Sequence, residues 1–383
     1  MPSVQLAPAP SKRYVSMLSQ LPRLYSVAVP ASSRSEHIDI ARGWVMILVV
    51  MHHAAFLKQP DAFSQVCQAL ILGFHMPFFF LLNGYLLHMA GSADRYSIKA
   101  YLKTRFMRLL VPYFLFELIN LALSWLAMPY LHNHLELDKA FLCIVECIND
   151  KGVYEGISGR LWFLPCLFFS DMLAFALLKA VKSRGFLTAA AVALAIASYG
   201  LHSRYGQRLP LTLDAALMGT CFVLAGYAGR PIYVKYAERA GRLGRALFFA
   251  LVLLAYLGAV WCNPECIQMF DDRYGNYPLA IAGSVAAFCV VMMLARAFSG
   301  RVTELQTGFL AWLRSLSLWY GINSLAVFPI HFWVVNTLKY VMNTQSPANY
   351  LLFVIALFAT IPVVNFVREF MPFLLGTGRS KRV

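Results

Sequence analysis

Charge is scarce in this chain. Of its 383 residues only 13% are Asp, Glu, Lys or Arg and 60% are hydrophobic, against roughly 25% charged in an average soluble domain. That balance excludes an ordinary soluble protein. The apolar runs also lack the short apolar/polar alternation of a transmembrane β-barrel. Residues 1–36 are rich in Ser and Pro and carry scattered bases, without the compact apolar core and cleavage site of a signal peptide. No internal repeat is visible, and no stretch reads as a separate soluble domain. Eight cysteines are present, but no histidine pair accompanies them at zinc-ligand spacing, so a metal site is not expected.

What is there is a series of apolar runs, each long enough for a hydrocarbon core of about 30 Å. They fall near 37–57, 66–90, 107–128, 161–182, 186–201, 211–229, 245–262, 277–297, 315–337 and 348–370. The expected fold is an all-α integral membrane protein of about ten transmembrane helices. One membrane domain, 37–370, is expected between tails at 1–36 and 371–383, the first of which holds a candidate surface helix, YVSMLSQLPRLYSV.

The formal charge of +15 is dealt out loop by loop rather than gathered into one stripe, so topology explains it and nucleic acid is not an expected partner. Alternate connectors carry the bases, from Lys12, Arg13, Arg23 and Arg34 through Arg230, Lys235, Arg239 and Arg242 to Arg379, Lys381 and Arg382. The opposite connectors carry acids such as Glu136, Asp138, Glu265 and Asp271. Because bases stay on the cytoplasmic side, both termini are expected there. Cys143, Cys147, Cys262 and Cys266 fall on the other side, where a disulfide is permitted, although free thiols fit equally well.

The first run, DIARGWVMILVVMHHAAF, keeps ionisable groups inside a span. Arg42 and His53 are eleven residues apart, which brings them to nearly the same helix face about 16 Å apart along the axis. Met46 and Val50 fill the stripe between them, and Asp39 lies one turn below Arg42, within pairing reach. Such groups in a span read as functional by default. The plainer alternatives are an Arg42 that snorkels to lipid phosphates and a His53 that merely packs.

Two further histidines are expected at the same depth. His75 stands in FHMPFFFLLNGYLL beside Pro77, expected to loosen that helix, and His331 follows Pro329 in FPIHFWVV. Three imidazoles would ring one outer cavity, each able to act as a base near neutral pH. Asn83 joins the candidate cavity. Glu117 and Asp171 lie near mid-bilayer, where each is expected to pair with Arg42, to orient a histidine, or to be protonated or hold helices together. Trp162, with Arg160 beside it, reads either as an interfacial anchor or as a sugar-stacking residue.

In this order, DIARGWVMILVVMHHA, FHMPFFFLLNGYLL, KTRFMRLLVPYFLF and LWFLPCLFF resemble the membrane-bound acyltransferase 3 family, closest to its fucose 4-O-acetylase-like exopolysaccharide O-acetyltransferase branch. The resemblance implies an acyl-CoA donor, acetyl-CoA foremost, and a sugar hydroxyl of an exported or cell-surface glycan as acceptor. It places the chain in the bacterial inner membrane, among lipids and polysaccharide biosynthesis proteins. The family's R-x10-H pattern falls on Arg42 and His53 rather than His52. Its basic cluster, often R-R-x-x-R, falls on Thr104, Arg105, Phe106, Met107 and Arg108, with Lys103 as a point-charge substitute for the missing arginine. Arg105, Arg108, Lys103 and Arg42 are then the expected phosphate holders. His53 is the expected base, with His75 or a backbone donor at the oxyanion and a covalent acyl-histidine relay as the other route. The rival readings are a transporter or flippase for a lipid-linked sugar, which needs no coenzyme A site, and a structural partner of a polysaccharide synthase.

Overall fold

A backbone in hydrocarbon has no water to bond, so each apolar run must satisfy its own N–H and C=O groups, and a helix does so within one segment. The computed structural model describes residues 35–54, 61–131, 144–145, 161–205, 209–263, 265, 267–271, 273–302, 308–342 and 349–376. Among them are helices and one isolated bridge, Gln268 with Arg273, but no strand. The helices are α1 (Glu36–His53), α2 (Ala62–Leu72), α3 (His75–Ala90), the short α4 (Ser92–Arg95), α5 (Ile98–Arg105), α6 (Val111–Leu131), α7 (Phe163–Ala180), α8 (Arg184–Tyr205), α9 (Leu213–Tyr233), α10 (Arg242–Cys262), α11 (Tyr277–Val302), α12 (Phe309–Ile322), α13 (Ser324–Met342) and α14 (Asn349–Phe370).

Nine of the described helical segments are long and apolar enough to cross a membrane. The chain is an all-α integral membrane protein. α1 is not among the nine, because Glu36, Asp39 and Arg42 interrupt its 18 residues. It lies instead inside the bundle, against α3, α11, α12, α13 and α14. With α1 the candidate passages among the described residues number ten. α8 and α10 form the outer face, where Ile196, Leu247, Leu251 and Leu254 are exposed as lipid-facing side chains are.

Three expected spans are built differently from expectation. The second is broken at Gly73–Phe74 rather than loosened at Pro77. Pro77 sits in the first turn of α3, where its missing N–H costs nothing. The ninth span is two helices meeting at Asn323, so that α12 and α13 follow α1 from Arg314, beside Glu36, to His331, beside His53. The third starts earlier than expected. α5 and α6 are joined through a π-helical turn at Phe106–Leu110, so Arg105 and Arg108 lie within the helix and not at its mouth. The tail helix expected near 14–27 and the cysteines Cys143, Cys147 and Cys266 lie outside the described residues. Cys262 is a free, exposed thiol.

Glycine sets two helix crossings. A Cβ on Gly43 would lie 1.8 Å from the Ser317 carbonyl oxygen, and one on Gly321 would lie 1.8 Å from that of Asp39. At the α3–α9 crossing, a Cβ on Gly84 would meet Val223 O at 1.8 Å and one on Gly226 would meet Leu81 O at 2.0 Å. Backbones this close leave room for hydrogen alone, as small residues allow at membrane helix contacts. Gly43→Val and Gly226→Val are each expected to cost about 3 kcal/mol, read as early thermal unfolding of the detergent-purified protein. Gly258→Ala, whose Cβ meets nothing within 4 Å, is expected to leave the transition unmoved.

Candidate active site

The stripe on α1 forms as its spacing predicts. Arg42 donates from Nη1 to Asp39 Oδ1 at 3.1 Å, with Asp39 buried. Asp39 is buried, and the guanidinium beside it offsets its charge. At the other end, α1 stops at His53, and Lys339 of α13 donates from Nζ to the His53 carbonyl oxygen at 2.8 Å. A cation on the last carbonyls complements the negative end of the helix. Sequence reasoning did not single out Lys339, although it stands eight residues after His331 and so on one face of α13.

The three expected histidines do converge, and a fourth joins them. Ring centroids of His53 and His331 are 5.2 Å apart. His52, set aside on spacing, bridges the group at 4.9 Å from His53 and 5.7 Å from His75. A HisHis pair at a helix end splays its rings to two sides, which spacing to one arginine does not register. Phe332 covers His53 at 4.4 Å.

Two of these rings have their tautomer set by backbone carbonyls, which only accept. His331 donates from Nδ1 to Val327 O at 2.9 Å, and His75 from Nδ1 to Ile71 O at 3.1 Å, the latter at the break between α2 and α3. In the neutral rings Nε2 is then the acceptor. His75 therefore donates to an oxyanion only when protonated, which removes it as a ready oxyanion donor. Among the described residues no three His, Cys, Asp or Glu side chains are grouped to hold a metal.

At the basic end of the stripe lies a cavity of about 540 Å³. Asp39, Arg42, Asn83, Arg105 and Arg108 contribute its polar wall. Arg105 is fixed by a buried network. Its Nε lies 2.6 Å from Asp171 Oδ2, its Nη2 donates to Asn83 Oδ1 at 3.1 Å, and the Tyr101 hydroxyl donates to Asp171 at 2.8 Å. Tyr101 is itself stacked on Phe175 at 3.8 Å. Asp171 is thus the partner of Arg105 and not of Arg42 or a histidine, and it fits the helix-holding alternative by joining α7 to α5 and α3. Glu117 likewise sits by Asn120, whose amide donates to it at 3.4 Å and accepts from Trp333 Nε1 at 2.7 Å. Its partners tie α6 to α13.

Between the cavity and the histidines stands a layer of rings and apolar chains that no motif announced. Phe163 and Phe328 meet at 5.0 Å and, with Met46 and Phe79, close the inner end of the cavity. Phe328 is 6.0 Å from His331 on the far side. Pro329, next in the chain, has no N–H for the carbonyl of Leu325 on the cavity wall. Lys103 is exposed and outside those walls, with Thr104 bonded back to Ala100 O. Trp162 caps α7 and packs on Phe270 at 5.8 Å, away from the cavity. Arg160 lies outside the described residues.

Arginines thus line one chamber of the helical bundle, and imidazoles cluster beyond it. The family follows from comparison with known proteins: the acyltransferase domain of the acyltransferase 3 family matches residues 36–367. The chain belongs to that family and is a membrane acyltransferase. No curated protein and no solved structure matches it.

Removing Asp171 leaves a buried guanidinium without its carboxylate, a loss worth about 3–5 kcal/mol. Asp171→Ala is therefore expected to lower the unfolding temperature in detergent strongly. Asp94→Ala, which breaks the exposed pair with Lys182, is expected to leave it unchanged, as surface pairs contribute little.

Proposed function

We propose that the chain transfers an acyl group, acetyl foremost, from cytoplasmic acyl-CoA to a sugar hydroxyl of an exported or cell-surface glycan, in the bacterial inner membrane. The observation that carries this reading is the shared cavity of Arg42, Arg105 and Arg108, one phenyl layer from four histidines. The basic end is the cytoplasmic one on the distribution of Lys and Arg. Arginine forks suit phosphate oxygens. Asp39 pairs with Arg42 and Asp171 with Arg105, which orients two of the three forks.

His53 takes the proton of the acceptor hydroxyl. The oxygen attacks the thioester carbonyl, and the tetrahedral intermediate expels the thiolate of coenzyme A, which recovers the proton from the imidazolium. His331 packs the His53 ring from the α13 side. Arg42 and Arg108 hold the phosphates, and Asn83 with Asp171 keeps Arg105 in the wall. For the thioester to reach His53 from the cavity, the Phe163–Phe328 layer must part. The same layer keeps water from the donor until it does.

Acyl content of the surface glycan, read by NMR in a deletion strain, tests the reading. Wild type is expected to restore ester signals, while His53→Ala and Arg42→Ala at matched membrane abundance lose them. Ester retained by both variants would sink the mechanism, and ester retained in the deletion strain would sink the function. A second expectation concerns the phenyl layer. Purified Phe328→Ala is expected to hydrolyse acetyl-CoA at least several-fold faster than wild type without acceptor, and an unchanged rate would show that the rings do not shield the donor.

A further inference from the structure

A second cavity, of about 410 Å³, lies among α3, α9, α10 and α11. Leu81, Ala225, Phe248, Val252, Val285 and Phe288 give it apolar walls. Its polar lining is of one kind. Tyr233 is 2% exposed and its hydroxyl has no partner among the described residues. One turn earlier on α9, Nε of Arg230 is buried and likewise without a partner.

The guanidinium is nonetheless held in place. Its Nη1 donates to His88 Nδ1 at 3.3 Å, and its carbon stands 5.3 Å from the centre of the Tyr85 ring. Glu238, which the Tyr85 hydroxyl reaches at 3.4 Å, is engaged by Arg296 at 3.0 Å. Buried donors without acceptors are costly and rare in native proteins. Here two such donors line one cavity a helical turn apart, one of them on a guanidinium. Their chemical complement is an anionic oxygen, and the complement of the remaining wall is an alkyl chain.

We propose that this cavity is a binding site for an anionic membrane lipid, one alkyl chain lying between α9, α10 and α11 and a phosphate oxygen accepting from Arg230 and Tyr233. The site stands apart from the arginine cavity and shares no lining residue with it. Its position at the end of α9, with Arg230 in the last turn, suits a head group. Basic residues there meet the leaflet where anionic lipids are held.

Full-length protein purified in detergent is titrated with phosphatidylglycerol, phosphatidylcholine or inorganic phosphate. Thermal stability and native mass spectra report binding. Phosphatidylglycerol is expected to be retained and to raise the unfolding temperature, phosphatidylcholine to bind about tenfold more weakly, and inorganic phosphate to do nothing. Arg230→Gln is expected to erase the tenfold preference, and Arg242→Gln to preserve it. Gly229→Leu guards against a folding artefact, since a Cβ there meets nothing within 4 Å and the larger side chain enters the cavity. It is expected to fold normally and to lose both lipids. Unaltered retention by Gly229→Leu, equal retention of the two lipids by wild type, or a shift with phosphate alone would each overturn the proposal.

Discussion

Hydrocarbon does not accept an unpaired charge, and the first helix brings Glu36, Asp39 and Arg42 into the bundle within its first two turns. Everything around α1 answers that demand. Glu36 is taken by Arg314 and Ser299 of neighbouring helices, and Asp39 by Arg42. To bring Arg314 that near, α12 must cross α1 at backbone contact, which Gly43 and Gly321 permit. α13 then continues in register and sets His331 and Lys339 at the far end of the same helix. The histidines are placed by the solution to a charge problem several turns away.

The same rule divides the interior into two compartments of different chemistry. Arginines gather where Asp39 and Asp171 can offset them, and four imidazoles gather toward the other end of α1. Phe163 and Phe328 fill the space between.

Much of this was legible in the sequence because it rests on period and length. Apolar runs of membrane length report spans, and the eleven-residue interval between Arg42 and His53 reports a shared face. Other features rest on contacts between distant segments, and no local pattern encodes them. Asp171 answers Arg105 across 66 positions, an interval set by how α5 and α7 pack, so depth alone left several partners open for it and did not name Arg105. The break in the second span falls at Gly73–Phe74 because a helix start tolerates proline, which made Pro77 a poor marker. His52 was passed over since a spacing rule selects one of two adjacent residues, whereas both rings find neighbours when the helix ends beside them.

The length of the stripe itself constrains the chemistry. Arg42 and His53 stand about 16 Å apart along α1, too far for one small substrate to touch both. A donor that uses both ends must carry its anionic group and its reactive carbon on opposite ends of a long, narrow molecule, and it must be thin enough to pass between two phenyl rings. A sugar, broad and hydroxylated, meets that layer badly from either side. The two substrates of the proposed transfer are therefore expected to approach from opposite ends, the thin one through the arginine cavity and the broad one from the histidine end, meeting at His53 without either crossing the bundle whole.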